Sequence, residues 1–304
     1  MSGGTERFRG VHSVAPSRSQ QGYYTQLLFN WRKTATLLAG VRVEDSSVFG
    51  VDINPRVAAS YTLPWIQTKL RGGFATGIRA SSFLENFGTG SPFVVGNPNL
   101  KPKQSMSWEI GLDQPLFDGH ALLSATYFAN TYKDLITFVS GPGPSFLNIG
   151  KAESSGVEAG VQVLLPWQLR LDGRYTFLQT KVINDGGSGG TAFPPGQPLL
   201  RRPKHQGSVG LTYLGDRWTV TCIANVVAPA IDRDFTQPGF PRVTLPGHTR
   251  LDLAASCLVL QNVWSIKSLR AQMKIDNLLN EYYEEVLGFS SAGISGRGGI
   301  AVNF

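Results

Sequence analysis

The feature that most constrains the fold of this chain is a regular alternation of apolar side chains with polar or small ones. Residues 167–177 show it clearly, because Trp, Leu, Tyr and Phe occupy odd-numbered positions and Gln, Arg, Asp and Thr occupy even-numbered ones. Successive side chains of a β-strand point to opposite faces, so this stretch predicts a strand with one apolar and one charged face. The charged face is too polar for a protein core. The same pattern recurs at residues 55–63, 66–79, 157–165, 218–226, 251–259 and 270–276.

The alternating stretches have the length of membrane-crossing strands. Strands of soluble sandwiches have about five or six residues, whereas a tilted strand needs about 9–11 residues to cross a bilayer. No stretch contains the roughly 18 consecutive apolar residues of a spanning helix. The mean hydropathy of −0.07 hides the pattern, since alternation cancels in an average. The sequence therefore predicts an all-β protein, a transmembrane antiparallel meander β-barrel.

Thirteen long strands are predicted, and tight turns alternate with longer connections between them. Bacterial barrels have short periplasmic turns and longer extracellular loops, so the tight turns and the C-terminus would face the periplasm. Trp65, Trp167, Trp218 and Trp264 fall at tight turns, where an interfacial belt of aromatic side chains would place them. The predicted strands are 21–32, 34–45, 54–63, 66–79, 105–114, 120–137, 147–165, 167–182, 204–213, 217–228, 249–260, 266–278 and 296–304.

Motifs for catalysis, metal binding and nucleic-acid binding are not found in the sequence. The four histidines are far apart and have no spacing typical of a metal site. The net charge of +7 comes mostly from basic residues placed singly on the strands, which argues against nucleic acid as a partner. We therefore predict no catalytic residue, no metal, no cofactor and no nucleic-acid partner. A barrel protease or lipase stays open as an alternative, because His205 and His248 end neighbouring outer loops near Asp232 and Asp234.

Several motifs resemble those of TonB-dependent outer-membrane receptors. One runs from Gly96 to Ser105, with Trp108 and Glu109 after it, and another from Asp276 to Tyr283. Residues 132–136, 148–158 and 202–205 fit between them in the expected order, so the resemblance covers most of the chain after residue 20. The positions that carry it are Asn97, Pro98, Asn99, Leu100, Pro102, Trp108, Glu109, Gly156, Glu158, Asn277, Leu278, Tyr282, Gly296 and Arg297.

The resemblance implies a receptor and transporter that binds a scarce nutrient, such as a ferric siderophore or a cobalamin, and moves it inward. In that family an N-terminal plug fills a barrel of about 22 strands, and a short box before the plug pairs with TonB. This sequence shows no secretory signal or TonB box, and its first clear strand starts near Gln21. We therefore expect the C-terminal part of such a barrel without its plug. Residues 21–304 would form that barrel and residues 1–20 a poorly structured segment.

The number of strands bears on whether the sheet closes. Hairpin-linked strands close an antiparallel barrel only when their number is even, so thirteen cannot close. Residues 7–14 offer a possible fourteenth strand and a smaller closed barrel. Two alternatives to transport follow. One is a passive pore without a plug, which needs that closure, and the other is a truncated remnant without function.

The expected partners follow from the location in the outer membrane. The basic run 201–205 ends an outer loop, where it would either meet lipopolysaccharide phosphates or be solvated. The resemblance implies that Ile300, Val302 and Phe304, which share one face of the last strand, form the signal read by the barrel-assembly machinery. The missing plug or upstream half of the barrel would be a further partner, and TonB would be reached only through that plug.

Under the receptor hypothesis the long outer loops would contact the substrate. Aromatic side chains there would stack on a planar chelate or a corrin. The alternative is that they pack the loops against one another. The candidate contacts are Phe83, Phe87, Phe235, Phe240, Tyr282 and Tyr283.

Overall fold

Most of the chain forms one large sheet in the computed structural model, which describes residues 2–7, 17–32, 34–89, 94–138, 143–185 and 194–304. One short helix, α1 (Phe83–Phe87), and a single 3-10 turn at Phe117–Gly119 are the helical elements of this part. The strands are β1 (Ser2–Arg7), β2 (Ser17–Trp31), β3 (Ala35–Ser46), β4 (Gly50–Thr62), β5 (Lys69–Arg79), β6 (Lys103–Leu116), β7 (Ala121–Phe138), β8 (Phe146–Leu165), β9 (Leu169–Asn184), β10 (His205–Leu214), β11 (Trp218–Val227), β12 (Ala230–Arg233), β13 (Arg242–Leu245), β14 (His248–Val263), β15 (Ile266–Asp276), β16 (Glu284–Val286), β17 (Phe289–Ser290) and β18 (Ser295–Asn303).

The large sheet is a meander of fourteen strands. Its order is β1 to β11 in sequence, followed by β14, β15 and β18. Two small hairpins, β12–β13 and β16–β17, lie in the connections that precede β14 and β18. The predicted all-β, antiparallel architecture is confirmed.

The two faces of the strands differ as the alternation predicts. On β4, Val51 and Ile53 are 63% and 62% exposed, whereas Asp52 and Asn54 on the opposite face are half-buried. Apolar side chains this exposed are unusual for a soluble protein, but they are the surface that lipid covers on a membrane barrel. The apolar face of the sheet is therefore its outer face.

Few apolar side chains are buried in the described part of the chain. The sheet is held instead by long ladders of backbone pairs, such as the twelve that join β2 to β3 from Gln20 with Ser46 to Trp31 with Ala35. A membrane barrel depends on this pairing because lipid offers its backbone groups no hydrogen bonds. The buried apolar residues are Leu100, Ala121, Ala152, Val182, Leu245, Leu258 and Tyr283.

The tryptophans at the tight turns project outward. Trp65, Trp167 and Trp264 are 77%, 83% and 98% exposed, and Trp218 is 54% exposed. Trp167 and Trp264 reach these positions with φ of 61° and 54°, which the tight turns impose. Exposed rings at the tight turns are what an interfacial belt requires, and the belt itself stays a prediction.

The sheet begins earlier than predicted. Ser2–Arg7 pairs with the start of β2, and β2 itself begins at Ser17, whereas the sequence predicted the first clear strand near residue 21 and only a possible extra strand at residues 7–14. Residues 8–14 of the possible extra strand lie outside the described residues. The sequence also gave no sign of α1 or of the two small hairpins, because elements of two to five residues are too short to show a period.

Two compact units make up the chain, and each carries its own outer connections. The first comprises Met1–Gly111, Tyr127–Ser155 and Gln179–Leu199. The second comprises Leu112–Thr126, Gly156–Leu178 and Leu200–Phe304. Among the described residues, no helix is long and apolar enough to cross a membrane.

Candidate functional site

In the first unit, the connection between β5 and β6 is fixed by the asparagine of the Asn-Pro motif. The side-chain amide of Asn97 donates to the carbonyl of Phe146 at 2.9 Å, and its backbone N–H donates to the carbonyl of Glu85 at 2.9 Å. Its side-chain oxygen accepts from the backbone N–H of Asn99 at 3.0 Å. This set of contacts, called here the Asn97 cluster, ties the loop to the start of β8.

A second asparagine extends the cluster along the outer ends of β6 to β8. The side chain of Asn148 accepts from the backbone N–H of Lys101 at 2.9 Å and donates to the backbone carbonyl of Lys101 at 3.1 Å. It also donates to the carbonyl of Asp134 at 2.7 Å. Leu100 of the motif is 5% exposed, so it packs beneath the loop. All of these contacts use neutral amides.

Helix α1 places two candidate aromatic residues together at this loop. Ser82 caps its N-terminus, with the backbone N–H of Glu85 donating to the Ser82 hydroxyl and the backbone N–H of Ser82 donating to the Glu85 carboxylate. Phe83 and Phe87 stack with ring centroids 6.1 Å apart, and the Arg18 guanidinium lies 5.2 Å from the Phe83 centroid. The two rings therefore pack on each other, and Phe87 stays 46% exposed.

The carboxylate of Glu85 is held in its charged form. Burial raises its pKa, but hydrogen bonds from Ser82 and an ion pair with Lys103 at 3.0 Å act in the opposite direction and prevail. The net result is a pKa below the ordinary value of 4.5. At neutral pH the capping contact is therefore fully formed.

In the second unit, Asn277 forms the corner after β15. It is 2% exposed and has a φ of 53°, a left-handed conformation that asparagine tolerates better than most residues. Its side chain donates to the carbonyls of Glu281 and Ala292 at 2.9 and 3.3 Å and accepts from the backbone N–H of Glu281 at 3.0 Å. Its backbone N–H donates to the Asp252 carboxylate at 2.9 Å. This geometry accounts for the residue type at a motif position.

A buried carboxylate joins three outer connections of the second unit. The side chain of Asp232 is 0% exposed; it accepts from Nε of Arg201 at 2.8 Å and from the backbone N–H of Leu287 at 2.9 Å. In addition, the backbone N–H of Arg201 donates to the carbonyl of Ile231 at 2.7 Å. The three connections precede β10, β14 and β18. We call this set of contacts the Asp232 junction.

The hairpin β12–β13 carries two arginines as direct cross-strand partners. Arg233 is 7% exposed and faces Arg242 in the register. Burial lowers the pKa of both guanidinium groups, and the charge of Arg233 lowers that of Arg242 further. Beyond them, Phe235 and Phe240 contact each other with centroids 5.5 Å apart, and Phe235 is 56% exposed.

The two neighbouring tyrosines of the last motif have different surroundings. Tyr283 is 8% exposed and stacks on His248 at 3.9 Å between centroids and 13° between planes. Tyr282 is 72% exposed, and the hydrogen bond from its hydroxyl to Glu284 raises its pKa. Tyr282 is thus available to a ligand, whereas Tyr283 packs the loops.

A cavity of about 340 Å³ opens beside this stack. Its wall combines cationic and anionic side chains with the His248 ring. Small-molecule sites typically enclose about 300–1,000 Å³, so the cavity is large enough for part of a ligand. The charged residues that line it are Arg201, Arg202, Glu284 and Glu285.

The other motif positions lie on strands or beside them. The Trp108 ring contacts Tyr127 at 5.3 Å, and Arg297 lies 3.3 Å from the carboxylate of Asp276. Pro102, Glu109, Gly156, Glu158, Leu278 and Gly296 belong to strands or to the residues next to them. Ile300 and Val302 of β18 pair with Ala271 and Leu269 on the apolar face of β15, and Phe304 follows the strand; the three are 74%, 39% and 73% exposed.

The histidines of the alternative enzyme site contact aromatic rings. Nδ1 of His205 lies 2.6 Å from the Tyr175 hydroxyl, and His248 stacks on Tyr283. Asp232 is bound to Arg201, and Asp234 accepts from the backbone N–H of Thr236 at 2.9 Å. Among residues 2–7, 17–32, 34–89, 94–138, 143–185 and 194–304, no three His, Cys, Asp or Glu side chains are grouped to hold a metal.

Sequence reasoning missed the residues that hold the outer connections of the second unit. Asp232 was considered only as a possible partner of a histidine, and Asp252 was not singled out. The partners of Asp232 lie in other connections, so no local spacing indicates its ion pair. Asp252 pairs with Arg250, two residues earlier on the same face of β14, but its hydrogen bond to the backbone N–H of Asn277 joins residues far apart in sequence. Only the alternation, which places Asp252 on the inner face of β14, was available as a signal.

Long antiparallel strands with an apolar outer face, tight turns at one end and hydrogen-bonded loops at the other define an outer-membrane β-barrel protein. Comparison with known proteins gives the family. The family model described as "TonB dependent receptor-like, beta-barrel" matches residues 4–278. The chain therefore belongs to the TonB-dependent receptors, which are outer-membrane proteins of Gram-negative bacteria.

Curated relatives belong to the same family. The iron-regulated outer membrane virulence protein of Vibrio cholerae is 31% identical over 196 residues, which cover 58% of this chain and 29% of that protein. Vitamin B12 transporter BtuB of Photobacterium profundum is 26% identical, with coverage of 80% and 36%. The metal-pseudopaline receptor CntO of Pseudomonas aeruginosa is 26% identical, with coverage of 92% and 36%. The chain thus spans about a third of the length of these relatives.

Solved structures share the fold. The ferric enterobactin receptor PfeA of Pseudomonas aeruginosa superposes with a TM-score of 0.72 at 16% identity, over 97% of this chain and 46% of that one. The copper transporter OprC gives a TM-score of 0.71 at 19% identity, over 93% and 47%. At these identities the likeness concerns the fold alone. The fourteen-stranded sheet therefore corresponds to part of a receptor barrel.

Proposed function

We propose that this chain is the C-terminal barrel part of a receptor that takes up a scarce nutrient, such as a ferric siderophore or a cobalamin. Family membership and relatives named for vitamin B12 and for metal-pseudopaline support this class of substrate. Transport in this proposal depends on a plug and on TonB, which acts through the plug. The chain serves as a transporter and not as an enzyme.

The observation that carries the proposal is the cavity beside the His248 stack. It lies where the three connections of the Asp232 junction meet, so its wall is pre-organised by hydrogen bonds before any ligand arrives. Arg202 and Glu285 line it with exposed side chains, and Tyr282 is exposed in the same connection as Glu285. Positively and negatively charged side chains beside aromatic rings are suited to binding a large polar chelate. Phe83, Phe87, Phe235, Phe240 and Tyr282 stay proposed contacts at the loop surface.

Uptake assays on cells that express the gene containing this sequence test the proposal. We expect accumulation of a labelled ferric siderophore or of labelled cyanocobalamin that stops when tonB is deleted. Arg202→Gln combined with Glu285→Gln should lower ligand affinity by about 150-fold or more, because each of the two charge-assisted hydrogen bonds contributes about 1.5–3 kcal/mol. Lys204→Gln is the matched control, since Lys204 is exposed in the same connection but does not line the cavity.

Two outcomes would overturn this proposal in different ways. Accumulation that continues without TonB would assign the protein to passive pores. No accumulation of either ligand, in cells where the receptor reaches the outer membrane, would favour a remnant without function.

We further propose that Ile300, Val302 and Phe304 form the signal for the barrel-assembly machinery. Their exposure on the outer face of the edge strand β18 leaves them available to that partner. Phe304→Asp should abolish insertion, measured by fractionation and immunoblot of outer membranes, while Asn303→Asp on the opposite face should insert normally. Normal insertion of the Phe304 variant would rule out this role. Lipopolysaccharide remains a proposed neighbour of the basic run 201–205.

A further inference from the structure

The outer face of the first unit has a groove near its tight turns. It spans β2 to β6 and encloses about 640 Å³, within the range of about 300–1,000 Å³ typical of small-molecule sites. Its walls are large apolar side chains that are 43% to 61% exposed, so the groove is open to its surroundings. The wall residues are Phe29, Trp31, Leu37, Tyr61, Leu70 and Ile110.

The groove exists because side chains of decreasing size align across the sheet. The register pairs Phe29 with Leu37, Leu37 with Ala59, and Ala59 with Gly72. Phe29 and Leu37 form a wall, whereas Ala59 and Gly72 form a low floor between that wall and Ile110 on β6. A Cβ at Gly72 would lie 3.3 Å from the carbonyl oxygen of Glu109, so β6 approaches closely at this point.

The next row on the same face closes the groove toward the turns. It consists of Trp31, Ala35, Tyr61 and Leu70, paired in that order. Trp31 and Tyr61 have large amphipathic rings of the kind that settle at the boundary between lipid tails and headgroups. The groove therefore starts at headgroup level and extends into the hydrocarbon region.

Positive charge lies at this boundary. The guanidinium group of Arg32 is exposed and lies 5.5 Å from the centroid of the Trp31 ring. None of the residues that line the groove is acidic. A guanidinium group binds phosphate oxygens through paired hydrogen bonds, so this charge is complementary to a phosphate headgroup.

We propose that this groove, called here the Trp31 groove, is a binding site for one glycerophospholipid of the periplasmic leaflet. One acyl chain lies over Ala59 and Gly72, and the phosphate lies at Arg32. The leaflet follows from the position at the tight turns, which face the periplasm in bacterial barrels. The occupant is a lipid because this face of the receptor is in contact with the membrane.

Native mass spectrometry of the detergent-purified receptor tests this proposal with two probes. Phosphatidylglycerol and diacylglycerol with the same two acyl chains differ only in the headgroup. We expect one phosphatidylglycerol to bind about tenfold more tightly than diacylglycerol, because the phosphate adds a charge-assisted hydrogen bond. Arg32→Gln should reduce phosphatidylglycerol binding to the diacylglycerol level. Ala59→Leu should fill the floor and weaken both lipids about tenfold, since it excludes buried methylene groups of the chain.

Ala39→Leu is the matched control for the filled groove. Ala39 lies on the same face of β3, paired with Leu27 and Val57, but does not line the groove. Binding should be unchanged in this variant, and heat-modifiable migration on gels should show all three variants folded. If Ala59→Leu does not fold, the loss of headgroup preference in Arg32→Gln remains the test. Equal binding of the two lipids by the unaltered receptor, or equal weakening by Ala39→Leu and Ala59→Leu, would overturn the proposal.

Discussion

The outer connections of the two units are held by different chemistry. In the Asn97 cluster of the first unit, neutral amides of Asn97 and Asn148 bond to backbone groups. In the second unit, the carboxylates of Asp232 and Asp252 are 0% and 7% exposed and pair with arginines or backbone N–H groups. A neutral hydrogen bond contributes about 0.5–1.5 kcal/mol, whereas one to a charged group contributes about 1.5–3 kcal/mol. The loops around the proposed ligand cavity are therefore the more firmly tied.

The largest effect is expected at Asn277. Asn277→Ala removes three side-chain hydrogen bonds and places an alanine at φ 53°, a left-handed conformation that is strained for most L residues. The two effects together should cost about 3–5 kcal/mol. Hydrogen exchange of the Glu281 amide measures the local loss of stability. Asn277→Gly should recover about 1–2 kcal/mol of it, because glycine adopts positive φ without strain. Equal exchange in the two variants would exclude backbone strain as a contribution.

A smaller but still large effect is expected at the Asp232 junction. Asp232→Asn leaves Arg201 without its ionic partner and should lower the local stability by about 1.5–3 kcal/mol. The exchange rate of the Leu287 amide should then rise by roughly 10- to 140-fold. Asp234→Asn, on the neighbouring carboxylate, is the control and should leave the Leu287 amide unchanged. A similar response in both variants would mean that Asp232 has no special role.

In the Asn97 cluster the expected effect is weaker. Asn97→Ala removes two neutral side-chain hydrogen bonds and should cost about 1–2 kcal/mol. The exchange of the Ser145 amide, which donates to the carbonyl of Val95, reports on this loop. Asn99→Ala keeps the contact between Asn97 and Phe146 and should have less effect. If Asn97→Ala costs more than Asp232→Asn, the contrast between the two units is wrong.

The smallest effect is a dependence on pH at helix α1 of the first unit. The pKa of Glu85 is lower in the folded state, so its stabilising contribution is complete above the ordinary value of 4.5 and is lost as pH falls through the folded value. The protection factor of the Ser82 amide should therefore decrease on acidification below 4.5. In Glu85→Gln this step should be absent. A step of the same size in that variant would assign it to another group.

The sheet was largely predictable from local sequence. Alternation predicted the position of every long strand, since apolar and polar side chains alternate along each strand according to the face that they occupy. The exposure of Trp65, Trp167, Trp218 and Trp264 agrees with their positions at tight turns. The first strand, Ser2–Arg7, was missed because its sequence of Ser, Gly, Thr, Glu and Arg has no apolar face. Its assignment to the sheet comes from pairing with β2.

The candidate site was predictable only where a motif carried it. Asn97 and Asn277 were identified from the family resemblance, and the structure gives each a specific set of hydrogen bonds. The candidate aromatic contacts proved to be mainly paired, as Phe83 with Phe87 and Tyr283 with His248. The sequence did not indicate that Asp232 is buried, because the residues next to it along the chain are the same whether its carboxylate is solvated or enclosed by distant connections.

By itself the sequence determined the two faces of each strand, the alternation of tight turns with longer connections, and the resemblance to the family. These properties depend on residues that are neighbours along the chain. Only the tertiary structure decided which carboxylates are buried and where the Trp31 groove lies. The groove combines side chains of different size from four strands: Phe29, Leu37, Ala59 and Gly72. They form a groove only in the register that the backbone pairing fixes. Such features depend on contacts between residues that are far apart along the chain.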